Sequence, residues 1–317
     1  MLELVHIFGD ALRHNNNRRG LPLTPVQKVC IALNFFAGGL FQRIAGLCGG
    51  VSKSAAHYAI DEVRRALVNI RHEYIHFPTE DEMRDSARRL QDRFGIGRIA
   101  FGVDGTFIKL HGAPRKIPRG NTQQNYWCRK GGYAINVMVI GNDKKLILNL
   151  DCDWHGGCHD ATVWKNSFAK RFIEQIPDKE FLVVGDGAYP MSDVLVKPYS
   201  KNEARRDPRK RQFNRQLCAL RTGTTENIYG MLKQRFPCLF GLRNNLPNAQ
   251  KTVIACAVLH NMTILWHDEE PDPYVPPRIP PPDEDHGGGN EAAERRRGRM
   301  VRDNLLFTFT NMGRRRL

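Results

Sequence analysis

The sequence predicts an α/β protein in which a mixed sheet with flanking helices follows a small all-α segment. Apolar residues recur at helical spacing through the first 95 residues. From about residue 100 they form strand-like runs, and helical spacing returns after Asp160. This change of period suggests a helical segment over residues 1–95 and an α/β domain over residues 96–266.

The amino-acid composition indicates the kind of binding partner more clearly than it indicates the fold. The 317 residues are 41% hydrophobic, which is enough for a substantial core. Lys and Arg number 48 against 33 Asp and Glu, a net charge of +15. Such an excess favours a polyanion such as DNA, although a basic enzyme without a polyanion partner remains the alternative. The eight cysteines are scattered singly, as expected of reduced intracellular thiols, and we expect no membrane-spanning segment.

The helical segment contains a pattern typical of a helix-turn-helix. A short helix (FQRIAGLC) is followed by Gly49-Gly50 and by a longer helix capped by Ser52. That second helix has one apolar face and an opposite polar face that a major groove could accept. Its predicted DNA contacts are Lys53, Ser54 and His57. Packing of three helices without any role in DNA binding is the alternative.

The α/β domain places acidic residues at informative points. RIAFGVDGTFIKL is a predicted strand containing Asp104, and two more strands follow with Asn142-Asp143 as the turn between them. Asp160 is the expected N-cap of a helix, EFLVVGD is a buried strand ending on Asp186, and Thr225 opens a helix that carries Glu226. Three strands, a helix and a fourth strand follow the order of a ribonuclease-H-like sheet.

An acid inside an apolar strand is costly unless it is paired or bound to a metal ion. Hard dications such as Mg²⁺ or Mn²⁺ prefer carboxylate oxygens, and a pair of them suits phosphodiester cleavage. Asp104, Asp186 and Glu226 are therefore candidate ligands. Taken singly, each acid could instead be a turn residue or a helix cap.

Six sequence blocks in order resemble the PIF/Harbinger DDE transposases and the Harbinger transposase-derived nucleases of animals. They are VDGTFIKL, NYWCRKGGYAINVMVIG, GGCHDATVWKNS, VVGDGAYP, RTGTTENIYGMLKQRFPCL and ACAVLHNM. The resemblance implies a metal-dependent DNA endonuclease with a ribonuclease-H-like core. It implies that Asp104, Asp186 and Glu226 are catalytic, with Asp160 as a fourth metal ligand.

The resemblance also implies a partner and a location. Transposases of this type work with a separate Myb/SANT-like protein, and they act in the nucleus, with the cytoplasm as an additional compartment. A domesticated DNA-binding or scaffold protein with an inactive core is the alternative function. The sequence leaves open an active transposase or a host nuclease, the target sequence, the oligomeric state and the preferred metal.

Two further regions are strongly basic or compositionally biased. Nine Lys and Arg residues lie between 197 and 221, and the DNA contacts expected in the catalytic domain are Arg129, Lys130, Arg209, Lys210 and Arg211. Residues 267–317 combine a Pro-rich acidic linker with an arginine-rich tail, and this composition predicts disorder. The arginines are interpreted as a nuclear-import signal or as a solvated charged face.

Overall fold

A computed structural model describes residues 2–13, 23–39, 41–243, 245–268 and 290–315. The first part of the chain is helical, as predicted. Its six helices are α1 (Leu2–Arg13), α2 (Pro25–Gly38), α3 (Gln42–Cys48), α4 (Lys53–Asn69), α5 (Arg71–Tyr74) and α6 (Glu80–Phe94). Ser52 caps α4 by accepting a hydrogen bond from the amide of Ala55, and Gly50 has a left-handed backbone in the preceding turn.

The sheet that follows is mixed, which confirms the predicted fold class. Its strands and the helices among them are β1 (Ile99–Lys109), β2 (Ala134–Gly141), β3 (Ile147–His155), α7 (Asp160–Asn166), α8 (Phe168–Glu174), β4 (Leu182–Val184) and β5 (Leu195–Val196). The strand order is β3-β2-β1-β4-β5. The pairs β1–β2 and β2–β3 are antiparallel, whereas β4 runs parallel to β1 and to β5. The strand β5 has only two residues, and the sequence pattern did not predict it.

The carboxyl-terminal half is helical, with α9 (Lys201–Arg206), α10 (Pro208–Arg221), α11 (Asn227–Arg235), α12 (Leu246–Leu265) and α13 (Asn290–Arg315). A π-helical turn, Thr222–Glu226, joins α10 to α11. The prediction that Thr225 opens a helix is therefore wrong. The helical path begins at Pro208, whose preceding Asp207 accepts a hydrogen bond from the amide of Arg209, and it continues through Thr225 without a break.

Each face of the sheet has its own core, as strand alternation requires. Val137 and Val139 of β2 point into a cluster that contains α2, α4 and α12, so the amino-terminal helices share a core with the sheet. Met138 and Ile140 point the opposite way, into a cluster with α6, α7 and α8. Apolar packing is continuous across the predicted domain boundary between residues 95 and 96. This boundary stays a prediction.

The predicted disorder of the arginine-rich tail is wrong for residues 290–315, which form α13. Leu305 and Arg302 are buried in the contact between this helix and the body of the protein, and Phe309 lies edge-on to Phe213 at 5.9 Å between ring centroids. Apolar residues spaced along the tail supply this contact. The Pro-rich acidic segment, residues 269–289, lies outside the described residues. Over the described ranges, no helix is both long and apolar enough to cross a membrane.

Candidate active site

Asp104 lies near the middle of β1, the central strand of the sheet. It pairs with Val139 of β2, and its Oδ1 accepts a hydrogen bond of 3.0 Å from the amide of Gly105. The Asp104 side chain is 18% exposed, whereas Val103 and Ile108 of the same strand are fully buried. The strand therefore holds a carboxylate at the edge of a buried region, as the sequence predicted.

Asp186 reaches the same level of the sheet from the neighbouring strand. Gly102 of β1 pairs in parallel with Val184, the last residue of β4, so Asp104 and Asp186 each lie two residues beyond this pair. Asp186 begins a turn in which its Oδ1 accepts a hydrogen bond of 2.9 Å from the amide of Ala188. Asp186 can be both a turn residue and a metal ligand, because this hydrogen bond engages only one of its two carboxylate oxygens.

Glu226 comes to the site on the π-helical turn. The turn lies very close to the sheet at the paired glycines Gly102 and Gly141, where a Cβ atom on either would collide with Thr224. Single π turns inside α-helices are frequent at functional sites, because the extra residue rotates the side chains that follow it. Glu226 is the last residue of this turn and accepts a hydrogen bond from the Thr222 hydroxyl.

Arg221, the last residue of α10, joins the acids electrostatically. Its guanidinium forms an ion pair with Glu226, and its Nη1 lies 3.6 Å from Oδ2 of Asp104. The Arg221 side chain is 15% exposed. Burial alone would lower the pKa of Arg221, but Asp104, Glu226 and Asp186 together raise it. Arg221 is thus the counter-ion of the acidic group, and the sequence pattern did not single it out for that role.

Asp160 is placed differently from the prediction, which made it a helix N-cap. The N-cap of α7 is His159, and Asp160 is the first helical residue. Its Oδ1 accepts a hydrogen bond of 2.8 Å from Nδ2 of Asn136 on β2. Gly105 permits this approach, since a Cβ atom there would lie 2.6 Å from Oδ1 of Asp160. The carboxylate is therefore held beside the strand that carries Asp104.

The pKa values show that these acids interact. Burial raises the pKa of Asp104 to about 7 from an ordinary 3.8, Arg221 opposes the rise, and Asp186 and Glu226 add to it. Burial also raises the pKa of Asp186, with Asp160 contributing in the same direction. Raised carboxyl pKa values of this kind cluster at functional sites.

The donor set fits a hard divalent cation. It consists of carboxylate oxygens. A dication would offset both the cost of burying the carboxylates and their mutual repulsion, which raise the pKa values of Asp104 and Asp186. Asp104, Asp186 and Glu226 could hold it, with Asp160 beside them. In the described residues, however, the only three acids whose ligand oxygens all lie within 4.8 Å of one another are Glu174, Asp193 and Glu294. That cluster is already neutralised by ion pairs with Lys170, Lys179 and Arg297.

The predicted DNA contacts of α4 lie on an exposed face. Lys53, Ser54 and His57 are all exposed in its first turns, and His57 Nδ1 is 3.2 Å from Oε1 of Gln42 on α3. The opposite face of α4 is buried, and Arg64 on that face contacts Oγ1 of Thr252 on α12 at 3.4 Å. The DNA role of α4 stays a prediction.

The basic residues predicted in the catalytic domain fall into two groups. Arg129 and Lys130 are exposed over the ring of Phe107, and Arg129 opposes the rise in the pKa of Asp186. Burial, with a contribution from Lys130, lowers the pKa of Lys233 to about 8. Arg129 and Lys130 therefore lie near the acids.

The second group has partners within the chain. Arg209 pairs with Asp207, Lys210 pairs with Glu203, and Arg211 donates to the carbonyls at the end of α9. These contacts give each residue a structural function, and their DNA role also stays a prediction.

The sequence matches a family of known enzymes. A family model described as "DDE superfamily endonuclease" matches residues 103–261, from β1 through most of α12. This family match defines the class of enzyme, a nuclease that hydrolyses phosphodiester bonds. The chain belongs to the DDE superfamily of endonucleases.

Similar proteins carry a related name. "Putative nuclease HARBI1" of Bos taurus is 27% identical over 82% of this chain and 73% of its own length. The protein of the same name in Homo sapiens is 26% identical with the same coverage. A solved structure, "Mos1 transposase paired-end complex with left transposon end", is 13% identical, and the match covers 80% of this chain and 82% of that chain with a TM-score of 0.21.

Proposed function

We propose that this chain is a DNA endonuclease of the PIF/Harbinger transposase type that acts with two divalent metal ions, Mg²⁺ or Mn²⁺. The observation that carries the proposal is the half-buried group of Asp104, Asp186 and Glu226 around Arg221. Membership of an endonuclease family supports cleavage of phosphodiester bonds, and the net charge of +15 supports a nucleic acid as the substrate.

Each acid has a role that follows from its position. Asp104 and Asp186 lie at one level of two neighbouring strands, so they would hold metal ions on a rigid base. Glu226 completes the group from the helical side. Asn136 orients Asp160, which lies beside the strand of Asp104. When bound, two divalent ions activate a water or a 3′-hydroxyl and stabilise the leaving oxygen.

The proposal extends to partner and location. A Myb/SANT-like companion protein would supply sequence recognition, and the nucleus would be the site of action. Support for both comes from the resemblance of the sequence blocks to Harbinger transposases. Exposed Lys53, Ser54 and His57 on α4 would contribute contacts to DNA.

The test is nicking of supercoiled plasmid in Mg²⁺, in Mn²⁺ and in EDTA. We expect Asp186→Asn and Glu226→Gln to reduce nicking by more than about a hundredfold, since even outer partners of a metal site cost 10- to 100-fold. Glu174→Gln, from the neutralised acidic cluster, is the matched control and should nick like the wild type.

Equal nicking by all four proteins would contradict the assignment of the acids. A wild-type protein that binds DNA tightly and never cleaves it would instead favour the scaffold function.

A further inference from the structure

A groove of about 910 Å³ lies between α13 and the loop that follows β4. We call it the α13 groove. One of its walls contains Gly187 and Ala188, which directly follow Asp186, and Ala161, which directly follows Asp160. Lys197 ties this wall together by donating a hydrogen bond of 3.1 Å from Nζ to the carbonyl of Gly187. The groove therefore begins one residue along the chain from two of the candidate metal ligands, Asp186 and Asp160.

The lining of the α13 groove is strongly basic. Two acids, Glu203 and Glu294, are outnumbered by six cations, Lys165, Lys170, Lys197, Arg295, Arg299 and Arg302. Each acid is already bound to a cation of the same groove, Glu294 to Lys170 and Glu203 to Arg302. The lining therefore carries more positive than negative side chains, which suits a ligand with repeated negative charges.

The wall formed by α13 presents its cations in register. Arg295, Arg299 and Arg302 are four and three residues apart, so they share one face of the helix. With a rise of 1.5 Å per residue, the first two are about 6 Å apart along the helix axis. The intervening Arg296 and Arg297 do not line the groove, and Arg297 pairs with Asp193 instead.

This wall is firmly attached to the rest of the protein. A Cβ atom at Gly298 would lie 2.5 Å from the carbonyl oxygen of Ser192, so α13 lies against the segment just before β5. The guanidinium of Arg302 is 3.7 Å from the centre of the Tyr199 ring, and the Tyr199 hydroxyl donates a hydrogen bond of 2.7 Å to Asp303. The helix that carries the three arginines is thus held in place before any ligand arrives.

We propose that the α13 groove holds the sugar–phosphate backbone of the DNA as it leads to Asp186 and Asp160. The inference rests on the proposed function, because it takes DNA as the substrate. It assigns a binding role to a carboxyl-terminal helix that lies outside the matched catalytic region, residues 103–261. Contacts of Lys and Arg with phosphates position a strand without reading its sequence.

The test compares two arginines of the same helix in the full-length protein. Binding of a fluorescein-labelled DNA duplex is measured in EDTA by anisotropy over a series of salt concentrations, for the wild type, Arg299→Gln and Arg296→Gln. Both residues are exposed and both variants lose one positive charge, so only position differs. Lys165→Gln tests the opposite wall of the groove.

We expect Arg299→Gln and Lys165→Gln each to weaken binding and to reduce the slope of log affinity against log salt by about 1, with Arg296→Gln unchanged. Equal effects of Arg299→Gln and Arg296→Gln on binding would overturn the proposed role of the α13 groove in binding DNA. Nicking by the same preparations separates the two proposals. If the wild type nicks DNA and the salt slopes of all the proteins are equal, only the role of the α13 groove is rejected. If Arg299→Gln selectively loses DNA binding but the wild type does not nick DNA, the role of the groove is retained and the nuclease function is rejected.

Discussion

Asp104 and Arg221 are coupled because burial makes each charge depend on the other. At about 4 Å and an effective dielectric constant near 20, opposite charges attract by roughly 4 kcal/mol. Three acids nevertheless surround one guanidinium, so the positive charge does not balance the negative charge. The raised pKa of Asp104 expresses this imbalance, and a divalent cation would remove it.

A pH dependence of stability follows for the protein without metal. The pKa of Asp104 is about 7 in the folded chain and near 3.8 when unfolded, so between these values the folded state binds more protons. The free energy of unfolding should therefore fall as pH rises from about 4 to about 7, by an amount on the order of a few kcal/mol. Urea denaturation in EDTA across this range measures the change.

Asp104→Asn is the matched variant for this prediction. It keeps the shape of the side chain and cannot ionise, so its stability should fall less over the same pH range and should exceed that of the wild type at pH about 8. Parallel pH profiles for the two proteins would show that Asp104 does not titrate as described.

Individual site residues differ in how far the sequence could identify them. Asp104 and Asp186 stand out because an acid interrupts or ends an apolar strand. Glu226 is recognisable only through its sequence block, since a glutamate on a helix is otherwise ordinary. The contacts of Arg221 with Asp104 and of Asn136 with Asp160 join residues distant in the chain, and no local pattern contains that information.

The π-helical turn packs closely against β1 and β2 because glycines occupy the contact positions on these strands. Gly102 and Gly141 are opposite each other on β1 and β2, and together they leave the space that Thr224 fills. Glu226 is two residues beyond Thr224 in the same turn. The location of this acid therefore depends on glycines in strands more than 80 residues away.

Gly102→Ala should disturb the site more than the fold. The new Cβ would lie 3.0 Å from Cγ2 of Thr225 and closer still to Thr224, so the turn must move. We expect a loss of stability of about 1–3 kcal/mol, typical of overpacking, with a larger proportional loss of nicking. Thermal denaturation and the plasmid assay measure the two effects.

Gly112→Ala provides the control, because a Cβ atom at Gly112 would have no neighbour within 4 Å. Its stability and nicking should match those of the wild type. If Gly102→Ala behaved in the same way, the close contact between the turn and β1 would not be what positions Glu226.

Secondary structure was predictable where the apolar pattern was regular. The strands β1, β2 and β3 lie close to their predicted positions. The predicted helix after Asp160 is divided at Ser167, whose side chain caps α8. The short strand β5 and the π-helical turn depend on their neighbours in space, since two residues and five residues carry too little periodicity to be recognised.

The whole molecule combines its segments through shared cores. The helices α1, α2 and α4 pack with α12 on one face of the sheet, α6 packs on the other face, and α13 packs beside β5 and α10. The arginine-rich tail was expected to be disordered because its charges dominate its composition. Its few apolar residues and Arg302 find partners only once the sheet and α10 exist, and this tertiary dependence could not be detected from composition.

The central claim is that Asp104, Asp186 and Glu226 bind divalent metal. Its most direct test is anomalous scattering from crystals grown with Mn²⁺ and a short DNA duplex. We predict manganese bound by Asp104 and Asp186 with Glu226 beside it, and loss of that signal in Asp186→Asn. Manganese found only at Glu174, Asp193 and Glu294, or at neither group of acids, would contradict the account.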